Sequence, residues 1–110
     1  MAADRRPWTL EELRERLTPH LRASGAKRAI VFGSHARGEA DAWSDLDLVI
    51  IAETNVPFLD RFRMFGGVFD AYRRAMEVLV YTPGEFAQMV EAENPFIEQV
   101  LKDGVTIYEG

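Results

Sequence analysis

Residues 29–51 read Ala29-Ile30-Val31-Phe32, then Gly33-Ser34-His35-Ala36-Arg37-Gly38, a connecting stretch Glu39–Ser44, then Asp45-Leu46-Asp47 and Leu48-Val49-Ile50-Ile51. Two apolar runs of strand character enclose a Gly-Ser pair and an Asp-x-Asp. The Gly-Ser closes one strand and the Asp-x-Asp opens the next. Side chains at i and i+2 of a strand point to one face, so Asp45 and Asp47 share a side. A Gly-Ser turn entering a helix presents backbone N–H groups that bind phosphate. Carboxylates able to hold divalent metal beside a phosphate cradle are the parts needed for phosphoryl or nucleotidyl transfer.

Working outward, helix and strand patterns alternate. Thr9 and Glu12 have capping-box spacing, Leu10, Leu13, Leu17 and Leu21 recur at helical intervals, and Gly25 can end the helix, so a first helix is expected over roughly residues 9–23. Strands are expected at Lys27–Phe32 and Asp45–Ala52, with Ser34 capping a short helix through about Ala40 and a loop at Asp41–Ser44. Beyond Asp47 the second strand is apolar on both faces, which marks a central strand covered on both sides. Phe58, Phe62, Phe65, Phe69 and Tyr72 form a helical stripe that reads as core, interrupted by Gly66-Gly67. A third strand, Ala75–Tyr81, leads to Thr82-Pro83-Gly84-Glu85, a second capping box with proline at the first helical position. Asn94-Pro95 breaks and restarts this helix, Gly104 ends it, and Val105–Tyr108 reads as a last strand. The expected order is α-β-α-β-α-β-α-α-β, an α/β sandwich in one domain over residues 1–110.

Composition narrows the function. The 110-residue chain carries a net charge of −5, which argues against nonspecific DNA or RNA binding, since that needs clustered Lys and Arg. The pairs Arg5-Arg6, Lys27-Arg28 and Arg73-Arg74 are scattered and read as solvated faces. Without cysteine there is no thiol catalysis, no disulfide and no Cys-ligated zinc, in agreement with a cytoplasmic location. The first six residues lack the apolar core of a signal peptide, and no apolar run is long enough to span a membrane.

The Gly-Ser and the Asp pair share a rim only if the first two strands run antiparallel. A helix between the second and third strands implies a parallel crossover, which brings Glu77 to the same rim. Glu77 is the only charge inside an otherwise apolar strand. Such a carboxylate is exposed at an edge, paired with a base such as Arg73 or Arg74, or bound to metal. In a two-metal site Asp45 and Asp47 would bridge the metals, and Glu77 would hold the one at the attacking hydroxyl. Gly33 lets the chain approach phosphate and Ser34 can hydrogen-bond it. Arg37 either adds charge there or pairs with Glu39 or Asp41. His35 reads as a loop residue, and Ser44 as a turn or cap residue.

The segment Gly33-Ser34-His35-Ala36-Arg37-Gly38 with Ser44-Asp45-Leu46-Asp47-Leu48 resembles the minimal nucleotidyltransferases (MNT) of the polymerase-β superfamily. Element order and length fit over roughly residues 9–109. The resemblance implies a small mixed β-sheet flanked by helices, Mg²⁺, and ATP or another nucleoside triphosphate. The third carboxylate of that family falls on Glu77, a Glu where Asp is commoner. The resemblance also implies a partner, because small members are often paired as antitoxins with a helical HEPN-domain toxin, to whose tyrosine hydroxyl they can transfer AMP. Fewer than thirty residues follow the third strand, too few to build a deep acceptor pocket. The expected activity is therefore transfer of a nucleoside monophosphate to a hydroxyl on a protein partner. The alternatives are a binding module that masks such a partner, and transfer to a small molecule or an RNA end. Apolar surface for a partner, or for a homodimer, is expected after Gly66-Gly67 or around Phe96 and Ile97.

Overall fold

The structure, a computed structural model, describes residues 5–110, and the expectation for the first residues of the chain lies largely outside them. Helix α1 spans Leu10–Ala23. Its start is fixed by the expected capping box: Glu12 N–H donates to Thr9 Oγ1 at 3.1 Å and Thr9 N–H to Glu12 Oε1 at 3.0 Å. Its buried stripe is Leu13, Leu17 and Leu21. Strands β1 (Arg28–Phe32), β2 (Leu46–Ile51), β3 (Met76–Tyr81) and β4 (Val105–Glu109) form one sheet in the order β3-β2-β1-β4. As expected, β1 and β2 are antiparallel and β2 and β3 parallel. The last strand lies antiparallel to β1 on the far edge. The chain reaches β3 through a 3₁₀ segment at Phe58–Phe65 and helix α2 (Gly66–Tyr72), and β4 through α3 (Pro83–Glu91) and α4 (Pro95–Asp103).

The alternation along β2 divides the core. Leu46, Leu48 and Ile50 pack with Leu13, Leu17, Leu21, Phe65, Val68 and Tyr72 on one face. Val49 and Ile51 pack with Ile30 and Val100 on the other, where Phe32, Tyr81 and Phe86 complete the cluster. Asp47 lies in register with the second set and so rises on the α3/α4 side of the sheet. Gly104 lets α4 lie tight on β1, because a Cβ there would overlap the Val100 carbonyl and meet Ile30 Cγ2 at 2.8 Å.

Two expectations are corrected. The segment after Gly33 is not a helix. Ala36 and Arg37 N–H groups both return to the Gly33 carbonyl, and Glu39 N–H to Ser34 O. Gly33 and Gly38 each sit at φ +73°, so left-handed residues close the segment into consecutive turns. The aromatic stripe is not one buried helix either. Only Phe65 and Tyr72 are core residues, whereas Phe58 and Phe62 are exposed, because the 3₁₀ pitch before Gly66 carries them off the buried face. The exposed apolar surface there consequently precedes Gly66-Gly67 rather than following it, with Leu59 the most exposed. On α4, Phe96 is part-exposed and Ile97 is buried.

What holds the 3₁₀ segment is a buried arginine that the sequence did not single out. Arg61 is 7% exposed. It donates to the Val56 and Val80 carbonyls at 2.8 and 3.1 Å and forks onto Glu85 at 2.5 and 3.1 Å. That fork, helped by the Thr82 N–H, holds the Glu85 carboxyl at about 2 rather than its ordinary 4.5. A depressed carboxyl contributes stability that is complete above pH 4.5 and lost as pH falls toward 2. Glu85→Gln is therefore expected to cost about 1–2 kcal/mol near neutrality, the range of a charged hydrogen bond discounted for partial exposure. In urea titrations across pH, the gap between wild type and variant should close in that acid window. A gap independent of pH would assign the loss to packing.

Candidate active site

Three strands deliver the acids and the loop to one rim. Register pairs Phe32 with Asp47 across β1–β2, so Gly33, the next residue, lies against the Asp47 side chain. The same position of β2 pairs Asp47 with Glu77 across β2–β3. Asp45 immediately precedes β2, two residues from Asp47. Its turn is fixed upstream, where Asp41 Oδ1 accepts from Trp43 N–H at 2.9 Å and from the Ser44 hydroxyl at 3.1 Å, the turn role expected for Ser44.

The approach of Gly33 to Asp47 is close enough to exclude any side chain. A Cβ placed on Gly33 would overlap Asp47 Oδ2. At φ +73° the residue is also in the left-handed region. The glycine thus serves both the turn and the contact with the carboxylate.

Asp47 is half-buried, whereas Asp45 and Glu77 are exposed. Burial pushes the Asp47 carboxyl above its ordinary range, the charges of Glu77 and Asp45 push it further, and Arg37 opposes them. Of the readings open to Glu77, the structure shows the one exposed at an edge, with its charge acting on Asp47. Glu77 lies on the edge strand and, among the described residues, has no ion-pair partner, while Arg73 and Arg74 donate to backbone carbonyls of Asp70 and Arg6. Arg37 makes the ion pair open to it, Nε to Glu39 Oε1 at 2.6 Å, and its charge also acts on Asp47. Ser34 lies at the head of the turn, with its carbonyl accepting from Glu39 N–H at 2.9 Å.

His35 is more than a loop residue. It is 6% exposed, and the Asp45 backbone lies close enough to its ring to act on its charge, so it packs the loop against the acidic turn. Burial pushes its pKa down, so the ring is neutral at pH 7. Its Nδ1 has no partner among the described residues. Nothing in the local sequence distinguishes a bracing histidine from an exposed one.

Among the described residues no three acidic or imidazole side chains already converge on one point. The donors nevertheless suit Mg²⁺. They are hard oxygens, they repel one another, and Mg²⁺ commonly takes one or two carboxylates together with waters and substrate phosphates.

Comparison with known proteins agrees with this arrangement. Residues 15–110 match the family described as "Polymerase beta, Nucleotidyltransferase", and the chain belongs to that family of nucleotidyl-transferring enzymes. A relative from Methanocaldococcus jannaschii, named "putative protein adenylyltransferase", is 31% identical over 72 residues, 66% of this chain and 77% of the relative. A solved structure described as a "putative minimal nucleotidyltransferase" is 30% identical, covers 89% of this chain and 95% of its own, and superposes with a TM-score of 0.62. The fold is shared more distantly with a toxin–antitoxin solved with AMP-PNP (TM-score 0.65, 16% identity, 88% of this chain and 73% of that one). It is also shared with an MNT antitoxin in complex with a tri-AMPylated HEPN toxin of Shewanella oneidensis (TM-score 0.59, 13% identity, 93% of this chain and 74% of that one).

Two outcomes follow from the geometry. Gly33→Ala should destabilise the protein by about 1–3 kcal/mol, the cost of a strained left-handed residue, and displace Asp47. An unchanged denaturation midpoint would mean that the loop has room to move off the carboxylate. The raised Asp47 carboxyl has the opposite pH signature to Glu85. The folded protein keeps a proton that the unfolded chain has lost, so this site's contribution falls as pH rises above the ordinary 3.8. Glu77→Gln removes one of the repelling charges, so the metal-free variant should melt higher than wild type near pH 7 and equal it in acid. Its gain in melting temperature on adding Mg²⁺ should also be smaller.

Proposed function

We propose that this chain, one nucleotidyltransferase domain over residues 1–110, transfers AMP from ATP to a hydroxyl on a protein partner, in a Mg²⁺-dependent reaction in the cytoplasm. The partner class is a helical HEPN-domain protein, and the chain acts as the antitoxin of that pair. The observation that carries the reading is the contact of Gly33 with Asp47 in the same register that sets Asp47 beside Glu77. A loop suited to phosphate and a cluster of acids meet at one rim. The names of the M. jannaschii relative and of the toxin–antitoxin neighbours support the choice of AMP, of a protein acceptor and of the partner.

In this reading the Ser34 hydroxyl and the Arg37 guanidinium hold the β- and γ-phosphates. The Ala36 and Arg37 N–H groups are turned back to Gly33 and contribute nothing. Asp45, Asp47 and Glu77 would hold Mg²⁺, which when bound would supply charge neutralisation at the phosphates and activation of the attacking hydroxyl. The acceptor oxygen forms a bond to the α-phosphorus as the bond to the β-phosphate oxygen breaks, and pyrophosphate leaves. In the proposed reaction Glu77, exposed on the edge strand, takes the hydroxyl proton. His35 holds the Asp45 turn.

The test is transfer of label from α-labelled ATP to a co-expressed HEPN-domain protein. Wild type with Mg²⁺ should label it and chelation should stop labelling. Asp47→Asn should reduce the rate by at least about a hundredfold while melting no lower than wild type. Labelling by the Asp47→Asn protein at the wild-type rate would sink the catalytic reading. Binding of the partner without labelling by either protein would favour the masking module.

A further inference from the structure

A cleft of about 260 Å³ opens beside the phosphate loop, between the end of β1 and the outer face of α4. Phe32, Gly33 and Arg37 form one wall, and Phe96, Gln99, Val100 and Asp103 the other. Two of these residues, Gly33 and Arg37, also belong to the loop assigned to phosphate, and the charges of both Asp47 and Asp103 act on Arg37. We infer that this cleft receives the base of the nucleotide, with Phe96 as its stacking surface and Gln99 as the group that selects adenine. The inference rests on the assignment of Gly33, Ser34 and Arg37 to phosphate.

The size of the cleft is the first argument. Clefts that enclose whole drug-sized ligands run to about 300–1,000 Å³, so this one holds a part of a nucleotide and not the whole. Its lining says which part. Phe32, Phe96 and Val100 offer no group for a triphosphate or a hydroxyl-rich ribose but suit the flat apolar face of a base. Phe32 and Phe96 meet edge to face, with centroids 5.4 Å apart at 85°. Phe96 is 37% exposed, which leaves ring surface at the cleft. Asn94 fixes its place at the start of α4 by accepting from the Phe96 and Ile97 N–H groups at 3.0 and 3.2 Å.

Selection follows from the pair one turn further along. Gln99 Nε2 donates to Asp103 Oδ2, its i+4 neighbour on the helix. With one amide N–H tied to the carboxylate, Gln99 still has one N–H and its carbonyl oxygen. A donor beside an acceptor is the complement of adenine, whose N6 amine adjoins a ring-nitrogen acceptor. The proposal has Gln99 meet the N7 edge, where adenine offers the N7 acceptor and the N6 donor while the N7 and O6 of guanine are both acceptors and match only half of that pair. Asp103 acts as a positioning residue that sets the Gln99 amide.

Calorimetry on the full chain tests this with MgATP, MgGTP and magnesium tripolyphosphate, the last carrying phosphates and no base. ATP should bind at least about tenfold more tightly than tripolyphosphate and about tenfold more tightly than GTP. Phe96→Ala should bring ATP down to the tripolyphosphate level and leave tripolyphosphate unchanged. Gln99→Leu, on the exposed face of α4, should bring the ATP-to-GTP ratio close to one. Equal affinity for ATP and tripolyphosphate in wild type, or a preference for GTP, would overturn the base site while leaving the phosphate loop intact. Failure of all three ligands to bind would overturn the phosphate assignment and the base site with it.

Discussion

The register of β2 between its two neighbours is the constraint on which the rest of the site depends. One residue, Asp47, is opposite Phe32 across the antiparallel pair and opposite Glu77 across the parallel pair. A slip of a single residue would turn Asp47 to the α1/α2 face and put Leu46 or Leu48 on the rim. The core prevents that slip. Leu46, Leu48 and Ile50 are wholly buried against α1, α2 and the 3₁₀ segment, and Val49 against the cluster that includes Val100 on α4. A slip would exchange the two apolar sets between faces packed by different partners and turn the acids toward α1 and α2. The hydrophobic pattern that folds the sheet therefore also aims the carboxylates.

Much of this was legible because it follows from periodicity and from short-range chemistry. The Asp-x-Asp on a strand, the antiparallel return implied by a shared rim, and the crossover that brings Glu77 alongside all follow from alternation and connection rules. Both capping boxes and the Asn94-Pro95 restart were legible for the same reason, since each is a local hydrogen-bond exchange. What escaped the sequence depends on distant partners or on backbone pitch. Arg61 reads as a surface residue until the Val80 carbonyl and Glu85, nineteen and twenty-four positions away, are seen to surround it. His35 reads as a loop residue until the Asp45 backbone is placed beside it. The helix expected after Ser34 failed because two left-handed glycines five residues apart leave room for turns only. The stripe from Phe58 to Tyr72 had helical spacing, but 3₁₀ pitch over its first half sends Phe58 and Phe62 outward.

The electrostatics of the rim oppose the needs of a stable fold. The ion pairs Arg61–Glu85 and Arg6–Glu12 lower their carboxyls and favour the folded state above the acid range. Asp47 is raised, so ionising it works against folding. A sequence selected for stability alone would put a neutral residue at position 47 or a cation beside it. The cation that acts on it, Arg37, is shared with Glu39 and with the field of Asp103. Uncompensated like charges at a partly desolvated point are the arrangement that a divalent cation relieves, and they carry a stability cost of the kind functional sites commonly bear.

The strand order adds a directional argument. The loop follows β1, Asp47 is on β2 and Glu77 on β3, so the proposed phosphate cradle and Glu77 lie on opposite sides of Asp47, one strand spacing of roughly 4.8 Å away in each direction. Displacement at phosphorus requires the attacking and leaving oxygens to lie roughly in line. With pyrophosphate held at Gly33 and Ser34, the attack comes from the β3 side. That side is an open sheet edge, with Glu77 exposed and no further strand beyond it. A small diffusible acceptor would need walls there to hold it in line, and the cleft beside Ala75 at the start of β3, about 270 Å³, is smaller than those that enclose a whole small ligand. A large acceptor brings its own walls by docking. If Gly33 and Ser34 hold the pyrophosphate as proposed, the open edge that leaves Glu77 wet suits an acceptor that docks from outside the domain.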